Sequence, residues 1–105
     1  MTVAICDDNQ DVVNVIEKAL KEYKGEVLEV ISFTKGEDLI EYIKSNKIDI
    51  AYMDIDLNSF RTGMEIGKKI KQMQETILII FMSSYQIYYR EIANAEPFRY
   101  IDKAT

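Results

Sequence analysis

Apolar runs and amphipathic segments alternate along the whole chain. Five short apolar runs predict β-strands, at 3–6, 27–33, 48–53, 77–82 and 99–102. Four segments with apolar residues at helical spacing predict helices, at about 11–23, 35–46, 64–74 and 85–95. Strands that alternate with helices over short connections specify an α/β fold, a doubly wound, five-stranded parallel sheet with right-handed crossovers.

Local signals refine this outline. Asn9 or Asp11 can cap the first helix, Gly25 ends it, and Pro97 ends the last one. The run 27–33 alternates apolar and polar residues and predicts an edge strand, whereas the continuous run 77–82 predicts a central strand covered on both faces. Only four helices are predicted, so we expect either that the natural protein continues past 105 or that another chain covers the bare patch of sheet.

Composition narrows the class of protein. The 105 residues predict one domain, 1–105, and the longest apolar run is too short to cross a membrane. The net charge of −5 argues against a nucleic-acid surface, since the basic cluster 68–71 reads as a solvated helix face. A single cysteine, Cys6, fits a reducing cytoplasm and a buried strand position. The absence of histidine excludes histidine-based catalysis and histidine metal ligands within this chain.

Polar side chains close four of the predicted strands. Asp7 and Asp8 follow the first strand, Asp54 the third, Ser83 the fourth and Lys103 the fifth. Carboxylates at neighbouring strand ends would meet at the carboxyl edge of the sheet, where Mg²⁺ would neutralise their repulsion and a lysine would balance the remaining charge. Such a site suits phosphoryl transfer, and Asp54, which stands apart from the acid pair, is the candidate nucleophile.

Each of these residues also has an ordinary structural interpretation. The acid pair and Ser83 would serve as helix caps, Asp54 as a loop residue and Lys103 as a surface residue. The functional hypothesis depends on their joint placement at the ends of separate strands.

Four segments resemble the receiver domains of two-component response regulators, in the right order and over essentially the whole chain. They read Ile-Cys-Asp-Asp-Asn at 5–9, Met-Asp-Ile-Asp-Leu at 53–57 followed by Gly63, Ile-Ile-Phe-Met-Ser-Ser-Tyr at 79–85, and Phe-Arg-Tyr-Ile-Asp-Lys at 98–103. The first and third are similar to receivers attached to LytTR-type DNA-binding domains. The resemblance implies the flavodoxin-like receiver fold.

The resemblance also implies a role for each site residue. Asp54 is the phosphoacceptor. The Mg²⁺ site comprises Asp8 as a direct ligand, Asp7, which holds the metal through water, Asp54 and the backbone carbonyl of Asp56. Ser83 is the switch hydroxyl, Tyr100 the switch aromatic and Lys103 the phosphate-binding lysine. The implied partner is a sensor histidine kinase, and DNA is reached only through an output domain that lies outside this chain. The resemblance implies a signalling module rather than an enzyme, one that at most catalyses its own Mg²⁺-dependent phosphorylation and dephosphorylation.

The chain departs from the family pattern in three ways. Ala104 follows Lys103 where the family has proline in a cis peptide, and a cis bond before a non-proline residue costs about 3 kcal/mol. The interval from Asp54 to Gly63 is one residue longer than usual, with Asn58 and Ser59 in place of its proline. The family's fifth helix is absent, so we expect a receiver truncated before that helix.

Two other functions compete with this hypothesis. A degenerate receiver would act as an interaction module without phosphorylation. A haloacid-dehalogenase-type phosphatase would use Asp54 and Asp56 as nucleophile and general acid, but that motif belongs on the first strand of a larger fold. A dinucleotide-binding module is poorly supported, because this chain has no glycine-rich turn after the first strand.

The fourth predicted helix carries apolar and aromatic residues that fit a homodimer face and packing against the sheet equally well. They are Tyr85, Ile87, Tyr88, Tyr89 and Ile92.

Overall fold

A computed structural model of the chain describes residues 1–22, 29–55, 63–83 and 99–102. Its strands are β1 (Thr2–Cys6), β2 (Glu29–Phe33), β3 (Ile50–Asp54), β4 (Leu78–Ser83) and β5 (Arg99–Asp102). Its helices within these ranges are α1 (Gln10–Glu22), α2 (Gly36–Ile43) and α3 (Gly63–Met73). The helix predicted at 85–95 lies outside the described residues.

The strands form one parallel sheet in the order β2-β1-β3-β4-β5. The side chains of β1 to β4 are described, apart from that of Ser83. For β5 the structure describes the backbone, which pairs with β4. This is the flavodoxin-like strand order, in which the chain moves first to one side of β1 and then to the other. The predicted α/β class and flavodoxin-like arrangement are confirmed.

Two predictions about individual strands are also confirmed. Strand β2 lies at the edge of the sheet, and each of its residues is either exposed or half-buried. Strand β4 lies between β3 and β5. The continuous apolar run of β4 suits this inner position, since Ile79, Phe81 and Met82 are buried and Leu78 and Ile80 are half-buried.

Alternate residues of the inner strands supply two apolar layers. Right-handed crossovers place α1 on one face and α2 and α3 on the other. On the α1 face, Val3, Ile5 and Val13 are fully buried. The larger layer lies under α2 and α3 and joins fourteen buried residues. They are Ala4, Cys6, Leu39, Ile43, Ile48, Ala51, Met53, Ile55, Met64, Ile66, Ile70, Ile77, Ile79 and Phe81.

The third strand ends one residue later than the apolar run predicts. Asp54 belongs to β3 because it pairs with Met82 of β4. The next amide, that of Ile55, still donates to the Met82 carbonyl oxygen at 3.1 Å. Backbone pairing therefore carries the strand past the point where the apolar pattern stops.

Helix α1 begins where the sequence predicts a cap. The side-chain Oδ1 of Asn9 accepts the Asp11 backbone N–H at 2.9 Å, which satisfies one donor of the first turn. Asn9, rather than Asp11, is therefore the capping residue.

None of the helices in the described ranges combines the length and the hydropathy that a membrane span requires.

The side chain of Gln74, just after α3, bonds three backbone groups near the amino end of β3. Its Oε1 accepts the buried Ile48 N–H at 3.0 Å. Its Nε2 donates to the carbonyl oxygens of Ile43 at 3.2 Å and Asn46 at 2.7 Å. One amide side chain thus fixes the end of α2, the connection that follows it and the entry to β3.

We expect Gln74→Ala to lower the free energy of unfolding by about 2 kcal/mol, because the Ile48 N–H would remain buried without an acceptor. Urea unfolding followed by circular dichroism measures the change. Gln72→Ala, at an exposed position in the last turn of α3, is the matched control and should change stability by less than about 0.5 kcal/mol. Equal effects of the two substitutions would contradict this role for Gln74.

Candidate functional site

Three carboxylates meet at the carboxyl edge of the sheet. Strands β1 and β3 are hydrogen-bonded neighbours, with Cys6 opposite Met53 at their ends. Asp7 and Asp8 continue from β1, and Asp54 is the last residue of β3. One carboxylate oxygen from each of the three aspartates lies within 4.8 Å of the other two. The strand-end pattern in the sequence therefore corresponds to a real cluster.

A tight turn positions Asp7 between the sheet and α1. Its backbone N–H donates to the Phe33 carbonyl oxygen at 3.1 Å, which extends the pairing of β1 with β2. Its Oδ1 accepts the Asn9 N–H at 2.9 Å, a local turn in which the aspartate side chain takes the place of a backbone acceptor. Asp7 is fully buried, whereas Asp8, the next residue, is exposed. The cluster is thus open to solvent on the side of Asp8.

Asp54 is held by the two strands that flank it. Its strand pairs with β1 on one side and with β4 on the other, and only 1% of the residue is exposed. The carboxylate has little freedom to move, because the backbone of Asp54 pairs with Met82 and the preceding residue, Met53, pairs with Cys6.

The cluster creates a strongly negative environment. The thiol of Cys6 lies next to it, and its pKa rises to about 12. Burial is the main cause, and the negative charges of Asp54 and Asp7 add to it, followed by those of Glu37 and Asp38. Glu37 and Asp38 lie in the first turn of α2 and extend the negative region beyond the three aspartates.

This set of donors suits a small divalent cation. Mg²⁺ binds oxygen ligands at about 2.1 Å, so two ligands on opposite sides of one ion are about 4.2 Å apart. Oxygens grouped within 4.8 Å meet that requirement with small adjustments. Asp7, Asp8 and Asp54 would hold the ion and offset its charge, while exposed Asp8 leaves a side on which the ion keeps water.

The remaining predicted site residues are described in part or not at all. The backbone of Ser83 ends β4, one residue beyond the Met82 that pairs with Asp54. The backbone of Tyr100 lies in β5 opposite Phe81. The side chains of both, and all of Asp56, Lys103 and Ala104, lie outside the described part of the chain. So do the residues of the predicted dimer face.

Two contributors to the site were not anticipated from the sequence. The turn between Asp7 and Asn9 has a recognisable signal, an aspartate two residues before a helix-capping asparagine. The charge of Glu37 and Asp38 has one as well, because an acid pair opens the helix that follows β2. Both signals gain meaning only when the carboxyl ends of β1 and β2 are known to be neighbours.

Known proteins are similar to this chain over most of its length. The family model of the response regulator receiver domain matches residues 3–105. The fimbriae Z protein of Escherichia coli K12 is 29% identical over 83 residues, which are 79% of this chain and 39% of that protein. The transcriptional regulatory protein YpdB of the same strain is 25% identical over 104 residues, 98% of this chain and 41% of that protein. The chain thus spans about two fifths of the length of these relatives.

A solved structure shares the fold. The response regulator TrrA of Thermotoga maritima, solved in complex with Mg²⁺ and BeF, superposes with a TM-score of 0.81 at 21% identity. The match covers 97% of this chain and 85% of that one. At this identity, the likeness supports the fold rather than the chemistry.

We expect Cys6 to resist thiol reagents while the protein is folded. The side chain is fully buried and its raised pKa keeps it protonated near neutral pH, so alkylation requires unfolding. Because Cys6 is the single cysteine, adduct formation with iodoacetamide, measured by mass spectrometry in native buffer and in urea, reports one site. Equal rates in the two buffers would contradict the buried position.

We expect Asp54→Asn to stabilise the metal-free protein by about 1–2 kcal/mol, because it removes one of three crowded negative charges. Mg²⁺ should stabilise the wild type more than this variant. Urea unfolding in EDTA and in millimolar Mg²⁺ measures both effects.

Glu41→Gln is the control for the change in net charge, since Glu41 is exposed and forms a surface ion pair with Lys44. It should leave the response to Mg²⁺ as in the wild type. A loss of stability for Asp54→Asn in EDTA, or an equal gain from Mg²⁺ in all three proteins, would contradict the repulsion argument.

Proposed function

Because this chain belongs to the response regulator receiver family, we propose that it accepts a phosphoryl group on Asp54 from a sensor histidine kinase, in a Mg²⁺-dependent reaction. Phosphorylation then shifts the conformation of the domain and controls an output domain. The output is DNA binding and transcriptional control, and the regulator is of the LytTR type.

One observation carries the proposal: Asp54 ends a central strand with its carboxylate grouped with those of Asp7 and Asp8. A lone aspartate at a strand end has many uses, but three at one edge suit the binding of a hard cation beside a phosphoryl acceptor. The order of the strands also argues against the phosphatase alternative, because Asp54 is on the third strand and the acid pair follows the first.

The transfer itself is a displacement at phosphorus. A carboxylate oxygen of Asp54 attacks the phosphorus of a phosphohistidine, the P–N bond breaks, and an acyl phosphate forms on Asp54. Bound Mg²⁺ supplies charge neutralisation for the phosphoryl oxygens. Asp7 and Asp8 hold the positive charge next to the acceptor, and the buried position of Asp54 fixes the direction of attack.

The described backbone supports the roles assigned to the other strand ends. Ser83 ends the strand next to Asp54, at a position where its hydroxyl would bond a phosphoryl oxygen. Lys103 follows Asp102, which pairs with Ser83, so its ammonium would approach from the next strand. Tyr100 lies in the same strand and would follow the inward movement of Ser83, repacking the face formed by β5 and the helix predicted before it. Asp56 would offer its carbonyl oxygen to the ion.

The relatives support a role within a longer regulator. This chain spans about two fifths of a fimbrial protein and of a protein described as a transcriptional regulator. The receiver would be one module of such a protein and would control the rest through a shift in its populated conformations. The solved TrrA complex contains Mg²⁺ and BeF, a combination consistent with a metal-assisted phosphoryl site.

We expect incubation with acetyl phosphate and Mg²⁺ to add one phosphoryl group, visible as a single mass increase by intact mass spectrometry. Asp54→Asn and an EDTA-treated wild type should show none, since they lack the acceptor and the metal. Asp11→Asn, which changes an exposed aspartate outside the carboxylate cluster, should be modified like the wild type.

Modification of Asp54→Asn to the same extent as the wild type would remove Asp54 as the acceptor. A folded, Mg²⁺-binding wild type that gains no phosphoryl group from either acetyl phosphate or a phosphorylated histidine kinase would favour the degenerate receiver, with Ala104 and the altered interval before Gly63 as the first causes to test.

A further inference from the structure

Gly63, the first residue of α3, lies against the backbone of the proposed phosphoacceptor. A Cβ atom built at this position would be 2.5 Å from the Ile55 Cα and 2.6 Å from the Asp54 carbonyl carbon, and it would overlap the Asp54 carbonyl oxygen. Contacts below about 3.0 Å do not occur for real Cβ atoms. Any side chain larger than hydrogen would therefore displace either the start of α3 or the peptide that joins Asp54 to Ile55.

Two other glycines face side chains rather than backbone atoms. At Gly36 and Gly67, an added Cβ would meet side chains, the end of Ile66 in one case and the ring of Phe81 in the other. Side chains can rotate or shift within an apolar layer. The obstacle at Gly63 is the main chain at the end of a central strand, where Asp54 pairs with Met82 of β4.

The peptide after Asp54 is held between two elements. The Ile55 N–H donates to the Met82 carbonyl oxygen at 3.1 Å, and the Ile55 carbonyl oxygen accepts the Gly63 N–H at 3.4 Å. Strand β4 thus fixes one side of this short segment and α3 the other. A movement of the α3 start would be passed to Asp54 through contacts between backbone atoms, with no flexible side chain between them.

We propose that Gly63 is a positioning residue: the lack of a side chain lets α3 press directly on the Asp54–Ile55 peptide and so fixes the Asp54 carboxylate relative to those of Asp7 and Asp8. The inference rests on the proposed function for its effect on phosphorylation, but its effect on Mg²⁺ binding does not depend on phosphoryl transfer. Gly63 does not itself touch the reacting atoms.

The test compares Gly63→Ala with Gly67→Ala, which places the same extra methyl group one turn further along the same helix. Both are expected to lower the midpoint of urea unfolding. Isothermal titration with Mg²⁺, on proteins shown to be folded by circular dichroism, should give an affinity about tenfold weaker for Gly63→Ala and an unchanged affinity for Gly67→Ala. The rate of phosphorylation by acetyl phosphate at saturating Mg²⁺ should fall roughly 10- to 100-fold for Gly63→Ala alone.

The outcomes separate this inference from the proposed function. If the wild type binds Mg²⁺ but is not phosphorylated, the proposed function fails while the comparison of Mg²⁺ affinities still tests Gly63. If the wild type is phosphorylated and Gly63→Ala matches Gly67→Ala in affinity and rate, Gly63 is only a packing residue and the inference is overturned.

A measurement on the wild type keeps the inference testable if Gly63→Ala does not fold. Saturating Mg²⁺ should slow hydrogen exchange at the Gly63 and Ile55 amides more than at the Gly67 amide, because the site and the start of α3 move together. Equal slowing at all three amides would overturn the inference.

Discussion

Parallel pairing between β1 and β3 is the constraint on which the rest of this structure depends. The pairing sets Cys6 opposite Met53, so the next residues, Asp7 and Asp54, emerge together at the same edge. A shift of one residue in this register would turn the apolar side chains of a strand to the wrong face and separate the acids at the same time. The apolar core and the polar site are therefore specified by one set of backbone hydrogen bonds.

In this arrangement the core and the site have opposite effects on the stability of the fold. The apolar layer under α2 and α3 joins fourteen buried residues and stabilises the sheet. At the carboxyl edge of the sheet, two buried aspartates and an exposed one bring like charges together, which opposes folding, and the proposed cation would offset this repulsion. The carboxylate cluster, where the proposed chemistry would occur, lowers stability. Contacts elsewhere offset this loss, for example those of Gln74, which joins three segments by hydrogen bonds.

The sequence was sufficient for the order of elements, the edge position of β2 and the candidate acids, because each depends on local periodicity or on residue type at a strand end. It was insufficient where backbone contacts between distant segments decide the outcome. Asp54 belongs to β3 because of Met82, a residue that no pattern around Asp54 indicates. The tight space at Gly63 likewise follows from the packing of α3 on a strand end, and a glycine at a helix start carries no such information by itself. The structure groups the carboxylates of Asp7, Asp8 and Asp54, and the roles assigned to these residues and to Asp56, Ser83, Tyr100 and Lys103 stay predictions.

The hydrogen bond from Gly63 to Ile55 also has a consequence for how this chain tolerates change. The segment 56–62 leaves and returns at two residues that are bonded to each other, so its ends are fixed whatever its length. Lengthening a segment closed in this way costs only a fraction of a kcal/mol per added residue. Insertions and deletions between these anchors can therefore accumulate during divergence while Asp54 keeps its place. The extra residue that the family resemblance implies between Asp54 and Gly63 would be a change of this kind, so this interval is a position where the chain can vary in length without rebuilding the sheet.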